Sequence, residues 1–144
     1  EAANAAPACM GQYDHLHLTV VQKPEILAQI NAAFQKAVGD PNMQVTYGAP
    51  TVIYVSCKNE DEEIVKGCNA GVVMENMLLE AADLGLGAVY LFGVSQVLFA
   101  NEEITKLLQI PEGFRTVSAI AVGTSADALQ ERTLGTDKIS TTTL

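Results

Sequence analysis

A chain of 144 residues and 15.3 kDa is about one domain's worth of polypeptide, able to bury roughly 70% of the surface that its unfolded form exposes. Hydrophobic residues make up 49% against 17% charged, and no apolar run reaches the roughly 18 residues of a membrane span, so disorder and a spanning helix are excluded and a soluble globular domain is expected. Eight Lys and Arg against 17 Asp and Glu give a formal charge of -9 with no basic run, which argues against nucleic acid as a partner.

The odd count of cysteines (Cys9, Cys57, Cys68) shows no CxxC or Cys/His zinc spacing and fits a reducing, cytoplasmic setting. No signal peptide opens the chain. It begins at Glu1 without an initiator Met, which implies either removed residues or a start inside a longer gene product.

Residues 15–21 alternate and then turn fully apolar, the pattern of a strand with its far end buried. Pro24 opens a helix in which Ile26, Leu27, Ile30, Ala33, Phe34, Ala37 and Val38 recur at helical spacing, with Gly39 as a left-handed stop. Asp40, Pro41 and Asn42 form a loop, and Tyr47, Gly48, Ala49 and Pro50 lead into a β-branched, aromatic central strand over residues 51–56. An acidic stretch, residues 59–63, precedes one long apolar helix over 64–84, ended by Gly85. Its Asn69, Asn76, Glu80 and Asp83 make one narrow polar strip on a cylinder otherwise covered nearly all round, partly by a second subunit. A short buried strand over 88–92 lies between Gly87 and Gly93; Asn101, Glu102 and Glu103 start another helix, and residues 116–122 form the last strand. Residues 125–144 turn polar and read as an arm that needs a surface to lie on. The order describes a mixed sheet covered by helices, in the α/β or α+β class.

His15 and His17, two apart in a strand, share one face; with no further ligand at metal spacing they read as a solvated face. Cys68 lacks a third His to activate it and reads as core packing, and residues 59–63 lack the pattern of a calcium loop and read as a solvated helix start. Neither GxGxxG nor a Walker motif is present. Gly87 and Gly93 bracket a strand whose backbone could approach a flat ligand closely.

Taken together, Ala6, Pro7 and Ala8, the Ala49-Pro50 pair opening a strand, the run Asn76, Met77, Leu78, Leu79, Glu80, Ala81, Ala82, Asp83, Leu84, Gly85, Leu86, Gly87, and Gly123 closing the last strand resemble the FMN-dependent nitroreductase family over nearly the whole chain. The resemblance implies an α+β fold with a mixed sheet sandwiched by helices, as a single domain over residues 1–144 with a C-terminal arm, and an intertwined homodimer with FMN at each of two subunit interfaces. It also implies an FMN-dependent NAD(P)H oxidoreductase working by ping-pong chemistry: NAD(P)H reduces the flavin, leaves, and is replaced by a nitro, quinone or related conjugated electron acceptor. Such chemistry asks little of side chains, since the cofactor carries the redox step.

By position, Tyr90, Leu91, Phe92 and Gly93 match the segment whose backbone lies along the isoalloxazine, with amides able to bond flavin N5 or O4. Asn42 matches a polar residue at the pyrimidine edge, and Arg132 a basic residue that reaches the phosphate. The family's Ser, Asn and Gln after the first Ala-Pro appear as Ala8, Gly11 and Gln12, so Ala8, Met10 and Gln12 fall in the cofactor-binding stretch. The family's Pro-Trp is replaced around Asp14 and His15, and its basic Arg, Ser, Arg opening would lie upstream of Glu1. These departures leave open an alternative, a non-catalytic or FMN-deficient dimer of the same fold that binds another small molecule; a simple dimeric interaction module is a third reading.

Overall fold

In the computed structural model, residues 1–93, 97, 101–128, 131 and 133–144 are described. Three short 3-10 turns (Ala2–Ala5, Cys9–Gly11, Tyr13–His15) lead into β1 (Leu16–Val21), α1 (Pro24–Val38), β2 (Thr51–Lys58), α2 (Glu63–Asp83), β3 (Gly87–Tyr90), α3 (Glu102–Leu107) and β4 (Phe114–Gly123). The strands form one sheet in the order β1-β2-β4-β3, and every described pairing is antiparallel, so the expected mixed sheet is corrected. Alternation of hydrophobic residues is the same in either direction of pairing, which is why the strand patterns did not distinguish them.

Period-two alternation gives the sheet two apolar faces. Val52, Tyr54, Ala119 and Ala121 meet Leu27, Ile30 and Phe34 of α1 and Ile104 of α3, while Val55 and Ile120 meet Ala70, Val73, Met74 and Met77 of α2, joined by Ala6. The sheet is therefore covered by helices on both faces, as an α+β fold. Pro24 stands in the first turn of α1, and Gly39 at φ 74° closes it, its N–H donating to Gln35 O at 2.9 Å. The Asn101 side chain caps α3, accepting from Glu103 N at 3.0 Å and Ile104 N at 3.2 Å.

The polar strip of α2 is covered over its first half, at Asn69 and Asn76, while Glu80 and Asp83 face solvent. Asn69 Oδ1 accepts the N–H of Cys9 at 2.8 Å and Asn76 Nδ2 donates to Ala2 O at 3.2 Å, so the N-terminal turns lie on that strip. The open face of α2 is instead apolar and small: Ile64, Gly67, Cys68, Gly71 and Leu79 are exposed along it, with Glu75 between them. Cys68 is thus at the surface, not in the core as its apolar neighbours suggested.

The two histidines also separate. His15 precedes β1, ends a 3-10 turn, and is bonded through Nδ1 to Asp61 Oδ1 at 2.7 Å, with both side chains largely buried. His17 in β1 packs edge-on to Phe114, ring centroids 6.1 Å apart. The expected solvated histidine face is therefore corrected, because the loop before α2 brings Asp61 over the end of β1; the helix start is solvated as expected at Asn59, Glu60, Glu62 and Glu63, with Asp61 as the exception. Lys66, also buried, donates to Asn59 O at 2.9 Å and Glu63 Oε1 at 3.1 Å, and Arg115 pairs with Glu63 as well.

Burial pushes the Cys57 thiol up to about 11, helped by the negative charge of Asp61, and its Sγ lies 3.8 Å from Lys66 O. At pH 8 a thiol reagent should modify Cys9 and Cys68, both exposed, while Cys57 reacts only on unfolding. Mass spectrometry of alkylated native protein checks this; rapid labelling of Cys57 would show that the β2–α2 junction opens readily.

Candidate functional site

The end of β3 and the loop after α1 enclose a pocket of about 190 Å³. Tyr90, Leu91, Phe92 and Gly93 form one wall, Phe34 of α1 lies at the base, and Met43, Gln44, Val45 and Tyr47 form the other wall. The Tyr90 and Phe92 rings are near-parallel, at a 15° interplanar angle and 6.2 Å between centroids, and Phe92 is well exposed. Gly93 leaves open space where a Cβ would stand.

Backbone hydrogen bonding divides the wall. The Leu91 N–H donates to Ala119 O at 2.7 Å, extending the β3–β4 pairing, so this amide does not serve a ligand as the sequence suggested. Phe92 and Gly93 adopt helical conformation directly afterwards. Amides in the first turn of a helix lack an intrahelical acceptor, so these two can donate to a ligand.

Asn31, on α1 between the buried Ile30 and Phe34, holds the facing loop in place. Its Oδ1 accepts the amides of Val45 at 3.1 Å and Thr46 at 3.3 Å, and its Nδ2 donates to Thr46 Oγ1 at 3.1 Å. Val45 and Thr46 are both buried, so these bonds satisfy groups that water does not reach. Gln35 adds a bond from Nε2 to Met43 O at 2.9 Å.

The residues assigned from the sequence fall into three groups. Tyr90, Leu91, Phe92 and Gly93 meet in the pocket, and Asn42 stands next to it in an exposed turn, where its N–H donates to Asp40 Oδ1 at 2.9 Å. Ala8, Met10 and Gln12 belong to the N-terminal turns beside α2 and do not line this pocket: Ala8 is buried, Gln12 half-buried, and Met10 is 87% exposed at φ 53°. Arg132 lies outside the described residues. None of the described residues lining the pocket is a cation.

Sequence reasoning missed Phe34, Met43, Gln44, Val45 and Tyr47 as walls and Asn31 as their anchor. A signal was present for Asn31 alone: a polar residue one position past Ile30, at the edge of an apolar stripe. The other glycine of the strand has a different explanation from a ligand. A Cβ on Gly87 would stand 3.2 Å from Ser125 Cβ, so the chain leaving β4 leaves little room for a side chain there.

Among the described residues no helix is long and apolar enough to cross a membrane, and no group of three or more His, Cys, Asp or Glu could hold a metal ion.

The Nitroreductase family profile matches residues 1–124. A provisionally named NADH dehydrogenase/NAD(P)H nitroreductase of Methanothermobacter thermautotrophicus is 31% identical over 131 residues, covering 88% of this chain; the chain spans 63% of that relative's length. The solved nitroreductase with bound FMN from Bacteroides fragilis has a TM-score of 0.80 at 23% identity, over 98% of this chain and 82% of that one. Its counterpart with bound FMN from Desulfitobacterium hafniense reaches 0.82 at 20% identity with coverages of 98% and 82%. The NADPH:FMN oxidoreductase of Vibrio harveyi, complexed with NAD+, reaches 0.66 at 15% identity over 99% and 66%. At such identities the solved structures show a shared fold.

Proposed function

This chain belongs to the nitroreductase family, and on that premise we propose that it is an FMN-dependent NAD(P)H oxidoreductase that reduces nitro, quinone or related conjugated acceptors in ping-pong fashion. The observation that carries this reading is the pocket at the end of β3. Its residues suit the ring system of FMN: Tyr90, Phe92 and Met43 offer apolar surface, Gly93 leaves room for close approach, and the Phe92 and Gly93 amides are donors for a ring edge. We assign Asn42 to the pyrimidine edge and Arg132 to the phosphate, for which the described pocket walls supply no cation.

Ala8, Met10 and Gln12 lie against α2, away from this pocket, and a homodimer accounts for their part. Packing on the open face of α2, with its exposed Ile64, Gly67, Gly71 and Leu79, would bring a neighbour's N-terminal stretch to complete the site. FMN bound there supplies two-electron redox chemistry; the chain supplies binding, orientation and exclusion of water.

Purified protein titrated with FMN should turn yellow, bleach with NADH or NADPH, and recover its colour on addition of a quinone. Protein that remains colourless after FMN addition and gel filtration, or a flavin complex that neither nucleotide bleaches, overturns the proposal.

A further inference from the structure

Tyr47 has a backbone conformation that bulky residues avoid. Its φ is +54°, followed by Gly48 at +71°, and in this left-handed region a Cβ crowds the following carbonyl oxygen. Glycine would sit there without strain, as it does at the next position. The conformation is held from behind, since the Asn31 side chain bonds both residues that precede Tyr47, Val45 and Thr46.

This strained, anchored backbone presents a ring that the chain leaves uncovered. Tyr47 is 71% exposed, yet it lines the pocket of about 190 Å³ at the end of β3 and also a second cavity of about 460 Å³ formed with Gly48, Pro50, Gly87 and the chain leaving β4. Packing among the described residues does not explain an aromatic ring in that position. A flat ligand does: aromatic rings attract planar π-systems by offset stacking, and strained residues held by their surroundings are characteristic of binding sites.

We propose that Tyr47 is the acceptor-positioning residue of this protein, its ring stacking on a planar conjugated electron acceptor; the assignment rests on the oxidoreductase reading above and deepens it. A suitable probe is duroquinone, whose fully substituted ring resists addition by the exposed thiols of Cys9 and Cys68. In FMN-loaded protein, Tyr47→Ala should raise both the KM and the equilibrium-dialysis Kd for duroquinone by roughly 2- to 12-fold, the range of one aromatic contact. Tyr47→Phe, which keeps the ring, should retain wild-type values, and Tyr47→Gly, which relaxes the backbone, should behave as Tyr47→Ala. Ferricyanide, which has no ring to stack, should lose less than duroquinone in Tyr47→Ala and in Tyr47→Gly.

The outcomes separate the two proposals. Tyr47-dependent dialysis of duroquinone in protein that NAD(P)H never bleaches keeps the Tyr47 assignment and removes the oxidoreductase reading. An active enzyme with an unchanged duroquinone Kd and KM in Tyr47→Ala removes the assignment alone. Equal losses with duroquinone and ferricyanide, or no duroquinone binding by the wild type, also overturn it, the former placing Tyr47 in the fold or at a subunit contact.

Discussion

Asn31→Ala should destabilise the protein by about 2–4 kcal/mol, because it leaves the buried amides of Val45 and Thr46 without an acceptor at roughly 1–3 kcal/mol each. That is a large share of the 5–15 kcal/mol typical of a domain's total stability. Urea denaturation followed by circular dichroism measures it. The loss extends to the site, since the same three bonds hold the loop that carries Met43, Gln44, Val45 and Tyr47 against the end of β3. Asn31→Asp keeps an acceptor for both amides and gives up only the donor to Thr46 Oγ1, so it should cost less than half as much. A midpoint for Asn31→Ala within experimental scatter of the wild type would mean that water replaces the side chain and that the loop does not depend on α1.

Ile120→Ala should be as damaging, at about 2–5 kcal/mol, for a different reason. Ile120 is fully buried at the centre of β4, opposite Ile53 on one side and Tyr90 on the other, beneath Val73, Met74 and Met77 of α2. Removing its three outer carbons opens a cavity that a sheet paired on both sides cannot close by shifting a strand. Ile120→Val should cost only about 0.5–1.5 kcal/mol. Tyr90 is the cross-strand partner of Ile120 and precedes the pocket wall, so the alanine variant should also bind FMN more weakly at temperatures where it remains folded. A cost below about 1 kcal/mol would show that α2 settles onto the sheet and fills the space.

The sequence by itself determined much about this protein. Helix α1 ran from Pro24 to the glycine after Val38 as its apolar spacing and its start and stop residues required, and α2 differed by one residue at each end. The helix start at Asn101 and three strands, read at residues 15–21, 51–56 and 116–122 and found at 16–21, 51–58 and 114–123, were legible for the same reason: periodicity, caps and β-branched runs are local properties. The family resemblance added the site segment at residues 90–93, which the structure places in a pocket.

Tertiary structure alone decided the rest. Whether strands pair parallel or antiparallel leaves no mark on alternation. Cys68 and Asn69 are neighbours on one helix turn, yet one is exposed and the other is buried under the N-terminal turns, because only the position of that distant segment determines which side of α2 is covered. His15 and Asp61 meet across 46 residues, and Asn31 reaches Val45 and Thr46 from another element, through contacts that no spacing rule contains. The Leu91 amide shows the same limit: within its segment it looked equivalent to those of Phe92 and Gly93, but β4 places the Ala119 carbonyl opposite it, and a donor already engaged in a sheet is lost to a ligand.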